Sequence, residues 1–228
     1  TLTKATSTGP AYKFGDPTVG FDPTAATETI NDNDVATLKL SGVDGQEAGQ
    51  PLSTSDGKFV ITQSNVSSTN TVVTYTVLGT SSATAGSDYV AITGTQTATI
   101  LAGKTTVAIG VDVLDESLIE TNETVVLKIL TPLLAPTDPQ VTIAVDTATV
   151  NIVDDDSAVA SIFKLSNGFE PGTNDGQFAI FLTSPSASAT VVSYKIDGSG
   201  DATLGSDYVL RDASLNLLSG SITIPAGK

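Results

Sequence analysis

Asp115, Glu116, Glu120 and Glu123 fall within nine consecutive positions that hold no Lys or Arg. Four uncompensated carboxylates repel one another and raise one another's pKa, so such a turn is costly unless a cation neutralises it. The chemistry that suits it is hard-cation binding. Calcium takes six to eight oxygen ligands at about 2.3–2.6 Å and tolerates bidentate carboxylates, whereas magnesium demands a strict octahedron and tends to keep its waters. Residues 107–113 lead into the turn with Val107, Ile109, Val111 and Val113 at alternate positions, the period of a strand with one buried face. A core strand that delivers four acids to one end of a domain is half of a calcium site.

Composition narrows the rest. Hydrophobic residues make up 39% of the 228 and aromatics only 5%, so the core must be aliphatic. Val, Ile and Thr suit a pleated, half-buried surface, and Gly and Pro interrupt every would-be helical period. The formal charge of −15, from 25 acidic and 10 basic residues, leaves no basic patch for phosphates and excludes nucleic acid as a partner. It equally disfavours anionic membranes, and no apolar run approaches the length of a membrane span. With no Cys and no His, thiolate metal sites, disulfides and the usual general base are all absent. Residues 1–10 have no signal-peptide character, which suggests a removed leader or an internal piece.

Self-comparison supplies the organisation. Residues 83–89 (ATAGSDY) match 202–208 (ATLGSDY), and residues 72–77 (VVTYTV) match 191–196 (VVSYKI). Residues 56–61 (DGKFVI) match 175–180 (DGQFAI), and 99–104 (TILAGK) match 223–228 (TIPAGK). Residues 29–34 (TINDND) echo 151–156 (NIVDDD). The period of about 120 residues is the size of a sandwich domain. The expected division is residues 1–34 as the last part of a repeat, 35–156 as a complete repeat, and 157–228 as the first part of another. Nothing in either flank matches residues 105–124, so only the middle repeat carries the acidic turn. The simplest account is a segment of a longer array; the other is that residues 1–34 of one copy complete residues 157–228 of the next.

Within the complete repeat, alternation and turn residues predict strands near 35–40, 58–62, 72–78, 89–92, 96–100, 105–114, 124–130 and 145–153. Seven or eight short strands with even turn spacing imply an all-β fold, two antiparallel sheets packed as an immunoglobulin-like Greek-key sandwich, repeated in tandem. Residues 157–158 leave almost no linker between repeats, so a stiff rod is expected.

These residues resemble the Calx-beta domain, the immunoglobulin-like calcium-binding module of sodium–calcium exchangers. Related copies occur in tandem in integrin and extracellular matrix proteins and in large bacterial surface proteins. The resemblance rests on the GSDY box (86–89 and 205–208), the AGK turn (102–104), the D-E-x-x-x-E-x-x-E turn (115–123) and the strand ending in three Asp (152–156). It implies calcium as the cofactor, held by Asp88, by Asp115 and Glu116, by Glu120 and Glu123, and by Asp154, Asp155 and Asp156. The backbone carbonyl of Leu118 would be a further ligand. An acid near the domain's N-terminal end would add to these, either Glu47 or Asp56. Two departures matter: Asn33 stands between Asp32 and Asp34 where the complete repeat has Asp155, and Asp207 has no acidic turn to work with.

Other readings of the same residues stay open beside this one. A turn Asp such as Asp88 can simply hold its own loop through backbone N–H groups. Asp115 with Glu120 is the pair a glycosidase would use, but Trp is absent and no aromatic platform accompanies them, so the chain is read as non-catalytic. Tyr12, Phe14 and Phe21 form a small aromatic group suited to a core edge, an interdomain contact or a glycan. The expected role is a structural segment of an extracellular or cell-surface fibre or adhesin, rigidified by calcium at domain ends and junctions. The alternative is a calcium-sensing module of a membrane signalling or transport protein. The expected partners are neighbouring repeats or copies of the same protein, with head-to-tail strand exchange among the arrangements, and a glycan or cell-surface ligand.

Overall fold

The computed structural model describes residues 2–3, 25–26, 33–47, 56–131, 133–134, 140–170, 172 and 174–228. Tyr12, Phe14, Phe21 and Asp32 lie outside the described residues. The chain forms two units, Thr1–Val35 and Ala36–Lys228. In the first, β1 (Leu2–Thr3) pairs antiparallel with β2 (Ala25–Ala26).

The second unit opens with nine strands: β3 (Ala36–Val43), β4 (Gly45–Gln46), β5 (Gly57–Gln63), β6 (Thr71–Val77), β7 (Gln96–Ile100), β8 (Thr106–Val111), β9 (Glu123–Ile129), β10 (Val141–Val145) and β11 (Thr147–Val153). They form one sheet in the order β10-β3-β5-β8 and another in the order β4-β11-β9-β6-β7. Alternate residues of both sheets build one core: Leu38, Leu40, Phe59, Ile61, Ile109 and Val111 from the first, and Val73, Ile100, Val125, Leu127, Ile129, Val150 and Ile152 from the second. This is the expected Greek-key sandwich, but its sheets are mixed where antiparallel ones were expected: β10 lies parallel to β3 and β4 parallel to β11.

Two differences from the expected strands have physical causes. Residues 89–92 form no strand: Tyr89 makes only isolated bridges, to Ala85 and to Val113, because the preceding loop is wound into a turn in which Asp88 N–H donates to Thr84 O at 3.0 Å. The first strand also runs on past residue 40 and changes sheets, so that β4 lies parallel to β11. Gly42 permits this, since a Cβ there would overlap the Thr149 carbonyl oxygen.

The following repeat contributes β12 (Ala160–Ser166), β13 (Gln177–Leu182), β14 (Thr190–Ser193) and β15 (Ser221–Ile224), paired β12-β13 and β14-β15. These two ribbons leave much of their apolar surface open, with Ile162, Phe163, Phe178 and Val191 all exposed. Among the described residues no helix is long and apolar enough to cross a membrane.

Candidate metal centre

The site is built at the end of the sandwich where β11 runs out. Val150 and Ile152 are buried, and a strand's period of two carries that inward face on to Asp154 and Asp156. Asp155, between them, is exposed. The change of sheets sets Glu47 beside this end, its N–H donating to Val153 O at 2.9 Å. The result is a group of Glu47, Asp154 and Asp156 in which one carboxylate oxygen from each lies within 4.8 Å of the others.

A second group comes from the GSDY loop and the acidic turn. Asp88 is buried; its Oδ2 accepts the Thr84 N–H, and its backbone oxygen accepts the Leu114 N–H at 3.0 Å. Asp88 therefore does hold its own loop, as a turn former would. It also belongs to a group with Glu120 and Glu123 that meets the same 4.8 Å limit. The two groups are joined through the Glu120 backbone N–H, which donates to Asp154 Oδ2 at 3.0 Å.

Six acids thus converge: Glu47, Asp88, Glu120, Glu123, Asp154 and Asp156. Asp115, Glu116 and Asp155 are exposed and lie outside both groups, although their charges reach the site. Desolvation, then the charges of Asp154, Asp155 and Asp115, push Asp156 above its usual range. Glu116 is itself raised, by desolvation first and the Asp88 charge second, while a hydrogen bond from the Leu118 backbone works the other way.

Of the two candidate N-terminal acids, Glu47 enters the site. Asp56 is occupied elsewhere, its Oδ1 accepting the Val113 N–H at 3.0 Å. Asp56→Ala is therefore expected to cost about 1 kcal/mol of stability through that hydrogen bond and to leave any calcium-dependent rise in melting temperature intact. Thermal melts with and without calcium check this.

The electrostatics are those of a cluster lacking its counter-charge. Burial, followed by the charges of Asp154, Glu116, Asp88 and Glu120, pushes Glu47 up to about 7. Glu123 is pushed up to about 8 by burial, by its hydrogen bond with Asp88 and by the charges around it. Glu120 is raised by burial and then by Asp88, Glu116 and Asp154. Three buried carboxylate oxygens, Glu47 Oε2, Glu123 Oε2 and Asp156 Oδ2, have no hydrogen-bond partner. Buried polar atoms are normally satisfied, so these are oriented for something other than a protein donor. Oxygen-only ligands, all carboxylate and drawn from four segments, fit a hard divalent ion and fit calcium best.

Known proteins bear on this arrangement. The Calx-beta domain profile matches residues 56–156 and again 171–224. Among solved structures, the apo-form Calx CBD1 domain is 20% identical, with 54% of this chain and all of that chain covered at a TM-score of 0.42. The CBD12 pair from CALX1.2 is 18% identical, covering 84% of this chain and 72% of that one at a TM-score of 0.42. The calcium binding domain CBD12 of CALX1.1 is 16% identical over 64% of this chain and 69% of that one, with a TM-score of 0.39. Comparison with curated protein sequences gave no match. The two profile matches take in well over half of the residues, one spanning most of the complete repeat and the other most of the repeat that follows: the chain belongs to the Calx-beta domain family.

Proposed function

We propose that the chain is a non-catalytic structural segment of an extracellular or cell-surface fibre or adhesin, in which calcium stiffens the passage from one repeat to the next. The observation that carries the calcium reading is the trio of buried, unpartnered carboxylate oxygens on Glu47, Glu123 and Asp156. Asp88, Glu120 and Asp154 complete the set of acids that would hold the ion, which supplies the positive charge the cluster lacks.

The stiffening follows from what lies on the other side of the acidic turn. Ile119 N–H donates to Pro185 O at 2.9 Å, and Ala187 N–H donates to Ile119 O at 2.9 Å. Ser186 Oγ also donates to that Ile119 oxygen, at 3.3 Å. A loop of the following repeat is therefore hydrogen-bonded to the residue next to Glu120. An ion that fixes Glu120 fixes Ile119 with it, and through Ile119 the next repeat. Without the ion, repulsion among the acids acts on the turn that carries the junction.

Small-angle scattering with calcium and with chelator tests this: the calcium form is expected to give the narrower distribution of interatomic distances, and identical profiles would sink the junction role. The sensor reading separates by affinity. An extracellular module is expected to bind with a Kd of about 10⁻⁴–10⁻³ M, whereas a Kd of about 10⁻⁷–10⁻⁵ M would favour a sensor. Isothermal titration decides between them.

A further inference from the structure

We infer that Asp44 is a positioning residue for the metal centre: its carboxylate pins the point where the first strand changes sheets and so keeps Glu47 among the ligands. The inference rests on the calcium reading above. Asp44 is the single residue between β3, which ends at Val43 in one sheet, and β4, which begins at Gly45 in the other. Val43 still pairs with Lys58 of β5, while Gly45 already pairs with Ile152 of β11. The crossing is made at this one residue.

The crossing leaves a backbone donor on β11 without its ladder partner. Glu47 N–H donates to Val153 O at 2.9 Å. In a parallel ladder of that register, continued by two residues, the Asn151 N–H would go to the Val43 carbonyl, but Val43 belongs to the other sheet. Asp44 Oδ1 takes that N–H instead, at 2.8 Å, and accepts the Asn151 side-chain amide at 3.0 Å as well. These two hydrogen bonds hold the Asp44 carboxyl below the usual carboxylate range. β4 is only two residues long, so the anchors at its ends, Asp44 on Asn151 and Glu47 on Val153, carry much of its attachment. Asp44 itself is exposed and belongs to neither group of converging acids, so it acts through Glu47 and not on the ion. The following repeat carries the same stretch with an amide at this place: residues 44–49 (DGQEAG) are matched by 167–172 (NGFEPG). An amide oxygen is still an acceptor, which points to hydrogen bonding and not charge as what the position needs.

Calcium titrations of the full chain, with amide exchange of Glu47 measured in chelator, test this. Asp44→Ala removes the acceptor and should weaken calcium binding about tenfold, the worth of a hydrogen bond to a charged group. Asp44→Asn keeps an acceptor oxygen and should stay within about threefold of wild type. In chelator the Glu47 N–H should exchange about tenfold faster in Asp44→Ala than in wild type, while the Leu127 N–H in β9 stays as protected as before, which separates local release of β4 from a general loss of stability. Equal weakening by Asp44→Ala and Asp44→Asn would show the Asp44 charge acting on the ion from a distance and overturn the inference. A Glu47 amide as well protected in Asp44→Ala as in wild type would overturn it too. The exchange measurement needs no calcium, so it decides the role of Asp44 even where wild type binds none and the calcium reading itself falls.

Discussion

Saturating calcium is expected to raise the melting temperature of this chain by about 5–10 °C over the same protein in chelator. A ligand that binds only the folded state stabilises it by RT ln(1 + [L]/Kd), about 2.7 kcal/mol at a hundredfold excess over Kd. For a domain of this size each kcal/mol moves the midpoint by roughly 2–4 °C. The acids that matter are those whose oxygens converge, so Glu123→Gln and Asp156→Asn should each remove most of the rise. In chelator above pH 8, where Glu123 is ionised, both variants should also melt higher than wild type, since each deletes a repulsive charge. A merely structural role for these side chains would not give that reversal. Asp155→Asn, at an exposed position, should keep most of the calcium effect. Equal melting temperatures with and without calcium for the wild type would leave a β repeat with a solvated acidic end.

Much of this was legible in the residues, and what was not has identifiable causes. The strands could be read because their alternation is strict: Phe59 and Ile61, Val125, Leu127 and Ile129, and Val150 and Ile152 all face one core. The same alternation, carried three residues past Val153, separates Asp154 and Asp156 from Asp155; that signal was present in the sequence, though the family resemblance groups all three as ligands. The choice of Glu47 over Asp56 was not readable. It depends on the first strand leaving one sheet at Val43 and joining the other beside β11, which local propensity does not encode. Gly42, pressed against Thr149, is the nearest thing to a mark of it. The strand expected at 89–92 failed because side-chain capping of the GSDY loop overrode a β-prone run. The junction through Ile119 was likewise invisible, since two of its three hydrogen bonds run between backbone groups that carry no side-chain signature, and the third comes from a serine 67 residues away.

The titration of the site gives the second large effect, and its sign depends on whether calcium is bound. In chelator, Glu47 at about 7 and Glu123 at about 8 hold protons more tightly in the folded than in the unfolded chain. A carboxyl raised in this way contributes stability that is fully present below its ordinary pKa and is lost as pH rises through the folded value. The calcium-free protein should therefore melt progressively lower from about pH 5 to pH 8, with the raised Glu116, Glu120 and Asp156 acting in the same direction. Calcium needs the same oxygens deprotonated, so binding must displace protons and the affinity depends on pH. Each ligand still protonated costs about tenfold in apparent affinity per pH unit below its pKa. Going from pH 8 to pH 6, binding should weaken about tenfold at the Glu47 group and about fiftyfold at the Glu123 group. Isothermal titrations at the two pH values, repeated in buffers of different ionisation enthalpy, read both the affinity and the protons released. Glu123→Gln should flatten the steeper of the two dependences. Binding of equal strength at pH 6 and pH 8 with no proton release would remove Glu47 and Glu123 from the ligand set, and with them the reason for burying one unpartnered oxygen of each.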